Sequence, residues 1–353
     1  LAVLPDGRIA AGGVFSRARG SEAGGIALFE ANGDGVSRSE FNAGAGADNI
    51  VYTVAAQPDG KLLVGGVFTS FAGTTANRIV RLNPNGSVDT GFAVGSGADD
   101  AVYSIVVQPD GKILVAGNFL EFGGTPVDRI VRLQANGSID STFDPGTGPD
   151  DRIAGLSLAD DGSILVYGYF TEFDGETCGR IVRLESDGSL DATFNPGGAG
   201  ANEKVFTAAV QTDGKILVGG LFTTFNGVNL NRVARLEANG AVDATFNPGA
   251  GADDEVSALA LQEDGNILIG GNFATFDGGA HPFLVRFGND AATETFTVNG
   301  LTSARWLRGG SGPLVPEVVF ELSTDSGQTW SDLGDGTAIA GGWEITGLNL
   351  PIN

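Results

Sequence analysis

An Asp-Gly pair returns every 51 to 53 residues along this chain, at Asp6-Gly7, Asp59-Gly60, Asp110-Gly111, Asp161-Gly162, Asp213-Gly214 and Asp264-Gly265. A period of that length restricts the fold to stacked or radial repeats, because one short unit cannot bury its own apolar face. The third unit spells the pattern most clearly: VYSIVVQPDGKILVAGNF, then LEFGGTPVD, RIVRLQANGSIDSTF and DPGTGPDD. VYSIVV and KILVAGNF are apolar, β-branched runs on either side of Pro-Asp-Gly, which predicts strand, turn and strand. RIVRL and SIDSTF alternate apolar with polar residues across Ala-Asn-Gly, which predicts a second, more exposed hairpin. No stretch carries a helical period. The expected fold is all-β, a propeller of four-stranded antiparallel blades.

Glycine and phenylalanine supply the packing logic. Gly66, Gly117, Gly168, Gly220 and Gly271, with Gly13 in the first unit, stand just before the end of the second strand, where a side chain is expected to block the adjacent sheet. Two residues later stand Phe68, Phe119, Phe170, Phe222 and Phe273, and a second Phe follows at Phe71, Phe122, Phe173, Phe225 and Phe276. The first unit has Ala18 at that second position. A third Phe closes the fourth strand at Phe41, Phe92, Phe143, Phe194 and Phe246, with Phe296 as its sixth-unit counterpart. An aromatic that recurs once per unit reads as core between blades. Arg78, Arg81, Arg129, Arg132, Arg180, Arg183, Arg232, Arg235 and Arg286 recur in the third strand. They are expected to pair with Asp89, Asp140, Asp191 and Asp243 of the neighbouring strand as a structural ladder.

Six regular units occupy residues 1–300, and 301–353 is one further unit's length, so seven blades are expected. The last segment has lost the Asp-Gly anchor and holds all three tryptophans, Trp306, Trp330 and Trp343. Within it, Ser323-Thr324-Asp325-Ser326-Gly327-Gln328-Thr329-Trp330 resembles the Asp box of sialidases and other propellers, a fold element without catalytic weight. Asp325 is expected to accept backbone N–H bonds, Gly327 to take a positive φ, and Trp330 to pin the hairpin to the core.

The repeated strings D-G-K-I-L-V-x-G-x-F and R-x-V-R-L-x-x-x-G-x-x-D-x-x-F, over six-sevenths of the chain, resemble the delta-sixty repeat family. Those are bacterial secreted or surface propellers whose domain has no assigned function. The resemblance implies the fold and export from the cell, and it implies no activity.

Charge narrows the functional classes. Twenty basic against 43 acidic residues give a net of −23, which repels phosphate backbones and anionic lipid surfaces, so neither nucleic acid nor a membrane is an expected partner. No apolar run reaches the roughly 18 residues of a membrane span. The single cysteine, Cys178, forms no internal disulfide and stands where other units carry polar residues, so it reads as a surface thiol. The chain opens inside a repeat and is read as a monomeric piece of a longer extracellular or cell-surface protein.

The most ligand-like feature is the connection between units: NAGAGADN, AVGSGADD, DPGTGPDD, NPGGAGANE and NPGAGADDE. One propeller face would gather Asp48, Asp99, Asp100, Asp150, Asp151, Glu203, Asp253 and Asp254. Paired acids on glycine-rich loops suit calcium, which takes six to eight oxygens, with Asp99, Asp100, Asp150, Asp151, Asp253 and Asp254 as the candidate ligands. The alternative is a set of solvated acidic turns. No nucleophile–base arrangement stands out, since the one histidine, His281, lies in a loop beside Pro282 and the four tyrosines lie in strands. No catalytic residue is assigned. The expected role is a non-catalytic scaffold binding protein or glycan at one face; the alternatives are a glycan-binding or glycan-cleaving propeller and a calcium-stabilised module.

Overall fold

The computed structural model describes residues 1–18, 21–37, 39–315 and 317–351. Pro316, at the head of the PEVVFELS run, lies outside them. The chain divides into two compact units, one of Leu1–Ala208 with Phe222–Asn229, the other of Ala209–Leu221 with Leu230–Asn353. The division passes through the fifth repeat.

In the first unit the repeats build three-stranded antiparallel sheets in chain order. Their strands are Ala2–Val3, Ile9–Gly12 and Ile26–Phe29; Val51–Ala56, Leu62–Gly66 and Ile79–Leu82; Val102–Val107, Ile113–Gly117 and Ile130–Leu133; and Ile153–Leu158, Ile164–Gly168 and Ile181–Leu184. The middle strand of repeats two to four is buried at every residue, as expected where sheets cover both faces. A two-residue hairpin such as Glu121–Phe122 with Thr125–Pro126 joins the second strand to the third. All described residues are strand, turn or irregular, so the fold is all-β.

The expected fourth strand narrows to one bridge per repeat, for example Leu82↔Val88, Leu133↔Ile139 and Leu184↔Leu190. The reason is the aspartate that follows. Asp140 accepts the Thr142 backbone N–H at 3.1 Å and its hydroxyl at 2.7 Å, which turns the chain away before a ladder can extend. Asp191 does the same to Thr193.

The glycines that close the second strand meet a different neighbour from the one expected. A Cβ on Gly66, Gly117, Gly168 or Gly271 would sit 1.9 to 2.5 Å from the carbonyl oxygen of Ile50, Ala101, Arg152 or Glu255. Those carbonyls precede the first strand of the same repeat and accept the N–H of Val67, Asn118, Tyr169 and Asn272. The adjacent sheet is instead met one residue earlier: a Cβ on Gly65 would collide with Val102 and Ile105 of the third repeat. Gly220, in the strand Ile216–Gly220, is also buried. Phe68, Phe119, Phe170, Phe222 and Phe273 are fully buried, each about 6 Å from the second Phe of its repeat.

The arginine ladder forms in full where its partners exist. Arg81, Arg132 and Arg183 reach Asp89, Asp140 and Asp191 at 2.9, 2.8 and 2.6 Å in the first unit, and Arg235 reaches Asp243 at 2.7 Å in the second. Each guanidinium also lies over the third Phe of its repeat, 4.4 to 5.2 Å from the ring centroid of Phe92, Phe143, Phe194 or Phe246. Arg81 extends further and donates to the carbonyl of Ala135 in the next repeat at 2.5 Å, tying one sheet to the following one. Arg78, Arg129, Arg180 and Arg232 do something else. They sit in the left-handed region with φ near 65°, and two of them, Arg129 and Arg180, cap the connecting loop through the carbonyls of Pro149 and Ala201.

In the second unit, Val256–Leu261, Ile267–Gly271 and Leu284–Phe287 form the sixth sheet. The final segment then departs from the repeat. Ala292–Asn299, Ser303–Gly310, Gly342–Thr346 and Thr337–Ile339 lie in that order in a four-stranded sheet, and Val319–Leu322 pairs with Ser331–Asp335. This sheet begins at Ala292 rather than near 301. Phe296 therefore belongs to it, opposite Trp306 and 60% exposed, and does not close the sixth repeat. The segment is fastened by Thr212, which donates its backbone N–H to Gly312 at 3.0 Å. Repeats two and three carry Pro58 and Pro109 at that turn position and have no such donor.

Asp325 accepts the backbone N–H groups of Gln328 and Thr329 and the Thr329 hydroxyl, and Gly327 has φ +86°. Trp330 departs from expectation: it is 59% exposed. Phe320, Ala304 and Ile345, with Trp306 and Trp343 against them, already fill the small core of this sheet. Cys178 departs too. It packs against the core of the fourth repeat, and burial pushes its thiol up to about 12.

Candidate functional site

The acidic loops are built from the backbone outward. In each, a bridge such as Ala98↔Phe122 or Pro149↔Phe173 holds the connecting loop against the small hairpin of its repeat. The first acid of each pair then binds that hairpin. Asp99 accepts the N–H groups of Leu120 and Glu121 at 2.9 and 3.0 Å. Asp150 accepts those of Thr171 and Glu172, plus the Thr171 hydroxyl, and Asp253 those of Ala274 and Thr275. Asp48 repeats the arrangement on Thr69 and Ser70. Burial opposes ionisation of Asp150, yet the donors at Glu172 and Thr171 outweigh it and hold the carboxyl below its ordinary range.

The second acid of each pair folds onto its own strand entry. Asp100, Asp151 and Asp254 accept the backbone N–H of Ala101, Arg152 and Glu255, and Asp100 also receives the Asn118 amide at 2.7 Å. The Oδ1 of each of these carboxylates faces N–H donors, and among the described residues no three His, Cys, Asp or Glu side chains converge as a metal site. The fifth repeat makes the point chemically: neutral Asn202 binds the N–H groups of Thr223 and Thr224 at 2.9 and 3.0 Å, as the aspartates do.

What stands out beside these loops is a cluster that the repeat does not predict. The first strand of repeats two to four carries a bulge at its second residue, which leaves Tyr52, Tyr103 and Ala154 outside the ladder. Bulges re-aim a side chain. Tyr52 is 48% exposed and packs on Tyr103 with 5.1 Å between ring centroids. The first strands of successive repeats lie side by side, so the row continues around the first unit. The Arg152 guanidinium lies against the Tyr103 hydroxyl and stacks 3.8 Å over the ring of Tyr169. Lys204 Nζ stands 5.3 Å from the same ring, and Phe206 packs on Tyr169 at 5.7 Å. Burial raises the Tyr103 hydroxyl above its usual range despite the nearby guanidinium.

Sequence reasoning passed over these residues because each sits in an otherwise ordinary strand. The signal was column by column: Arg152 and Lys204 align with Ile50, Ala101 and Glu255, and Tyr169 aligns with Val67, Asn118 and Asn272. His281 and Trp330 lie elsewhere, in the second unit.

Comparison with curated proteins finds no match. Among solved structures, the chain is similar to the WD40 β-propeller domain of Doa1 at 17% identity and a TM-score of 0.47, covering 74% of this chain and 70% of that one. A protein of unknown function from Bacteroides caccae gives 14% and 0.43, with 79% and 93% covered. A gluconolactonase from Xanthomonas campestris gives 15% and 0.40, with 74% and 82% covered. None is similar enough to say what this chain binds. One family model matches at residues 4–34, 57–92, 108–143, 159–194, 211–246 and 262–290. Those six segments follow the repeats seen in the structure and take up more than half of the chain, which belongs to the family described as a domain of unknown function (DUF5122) beta-propeller.

Proposed function

We propose that this propeller is a non-catalytic binding module of a secreted or cell-surface protein, serving adhesion, recognition or assembly. The observation that carries the reading is how the ionisable groups are spent. The recurring acids Asp48, Asp99, Asp150 and Asp253 hold hairpins, and Asp89, Asp140, Asp191 and Asp243 hold arginines. A hydrolytic site would keep such carboxylates free for proton transfer. The partner is a protein or glycan at the loop face. The repeats' likeness to the delta-sixty family, whose propellers are exported, supports the location. A screen against immobilised glycans and extracellular proteins, run beside a glycosidase panel, tests it. Turnover that disappears in Asp99→Asn or Asp150→Asn would overturn the reading.

A second reading is a glycan-cleaving propeller. Its support is the turn from Ser323 to Trp330, whose Asp325 bonding follows the Asp-box pattern and whose aspartate is lowered to about 2 by Thr329 and Ser323. The same panel separates the two.

A further inference from the structure

We infer that Tyr52, Tyr103, Arg152, Tyr169, Lys204 and Phe206 form a seat for a carboxylate-bearing saccharide, a glycan containing uronic acid. This rests on the binding-module reading above and names its ligand.

The argument begins with Arg152. The ladder arginines Arg81, Arg132, Arg183 and Arg235 each lie within 3 Å of a carboxylate. Arg152 has no carboxylate at ion-pair distance among the described residues; its neighbours are the hydroxyl of Tyr103 and the face of Tyr169, with the Asp151 carboxylate acting on it at longer range. Its backbone is pinned on both sides, with N–H to Asp151 and C=O to the Tyr169 N–H. The guanidinium itself is held by the Tyr169 ring and the Tyr103 hydroxyl, and no carboxylate among the described residues bonds it directly. A planar fork in that state is matched by a carboxylate, which takes two parallel N–H bonds. Lys204 adds a second cation on the same ring, and its one ion pair among the described residues is a long 3.9 Å approach to Glu203.

The aromatics define the rest of the ligand. Tyr52 and Tyr103 continue the row beyond Arg152, and Tyr52 turns half of its surface to solvent. A flat, amphipathic ring beside an anion seat suits a sugar that presents an apolar face and a carboxylate together. Of the acids nearest in sequence, Asp100 is turned onto Asn118 and the Ala101 N–H, and Asp151 accepts the Arg152 N–H while acting on the guanidinium only through space.

The test is calorimetry of the full chain with galacturonic-acid oligomers, against neutral galactose oligomers, polyglutamate and inorganic sulfate. Binding of the acidic oligomers alone, weakened at least tenfold by Arg152→Gln and severalfold by Tyr52→Ala, is the expected result. Rising salt should weaken it further, and Arg305→Gln on the last sheet should leave it unchanged. Equal binding of neutral oligomers overturns the anion seat, and equal binding of polyglutamate overturns the saccharide assignment. Binding that Arg152→Gln and Tyr52→Ala leave intact overturns the site. No binding to any probe also overturns the proposal, while the broader binding reading is decided separately by its own screen. Tyr52 is exposed, so Tyr52→Ala keeps the test readable if Arg152→Gln proves unstable.

Discussion

The Arg235 guanidinium meets Asp243 at 2.7 Å where the two side chains are only 2% and 1% exposed, and Lys215 reaches the same carboxylate oxygen at 2.7 Å. Lys215 is the lysine of the Asp-Gly-Lys turn, so the anchor motif and the arginine motif of one repeat converge on a single aspartate. Lys112, Arg132 and Asp140 repeat the junction. Removing the aspartate leaves a buried cation without its partner. Asp140→Ala and Asp243→Ala should each cost about 3–5 kcal/mol. Urea denaturation measures this, and a loss no larger than that of a surface substitution would refute the role of the junction.

The same aspartates set the response to acid. Burial works against the charge on Asp140, but bonds from Thr142, Lys112 and Arg132 outweigh it, and the carboxyl titrates well below its ordinary range. Asp243 and Asp191 behave alike. A carboxyl depressed on folding contributes stability that is complete above its unfolded value of about 3.9 and is lost as pH falls towards the folded one. Stability should therefore be level from neutrality to about pH 5 and fall steadily below about pH 4. Denaturation midpoints across that range check it, and a protein more stable at pH 3 than at pH 6 would contradict it.

Glycine positions separate close approach from backbone strain. A Cβ on Gly117 would stand 2.0 Å from the Ala101 carbonyl, whose bond to Asn118 fixes the start of the strand. Gly175 has open space around it but φ +76°. Gly117→Ala should cost about 3 kcal/mol or more through forced displacement of backbone. Gly175→Ala should cost about 1–2 kcal/mol through left-handed strain alone. Thermal melts of the two variants should rank them in that order.

The architecture was legible because period, turn chemistry and apolar runs agree six times over, and the pairing of Arg132 with Asp140 follows from their fixed offset. What was hidden depends on contacts between distant residues. Nothing local says that Trp330 stays in solvent, since that depends on Phe320 and Trp306 filling the small core first. Phe296 keeps the repeat's spacing yet belongs to the next sheet, because a position in register does not say which strand it will pair with. The seat around Arg152 was hidden for a related reason. Repeat reading rewards agreement, and that cluster is assembled from one disagreement in each of several repeats.

The loop aspartates give the sharpest contrast between a structural role and a metal-binding one. Asp150 accepts the N–H groups of Thr171 and Glu172, and Asn202 makes the equivalent pair of bonds one repeat later without a charge. Only the acceptor oxygen is needed for that work, so Asp150→Asn should stay within about 0.5 kcal/mol of the parent. Asp150→Ala removes the acceptor from two donors and should cost about 1–2 kcal/mol, most of it local to the hairpin Glu172–Phe173 with Glu176–Thr177. Amide hydrogen exchange at Thr171 and Glu172 resolves the local part. Calcium should leave the melting midpoint of all three proteins unchanged, because one oxygen of each loop carboxylate is already engaged by N–H donors and no three acids converge among the described residues. A midpoint that rises with calcium in the parent, and rises less in Asp150→Asn, would show that the loops hold a cation after all.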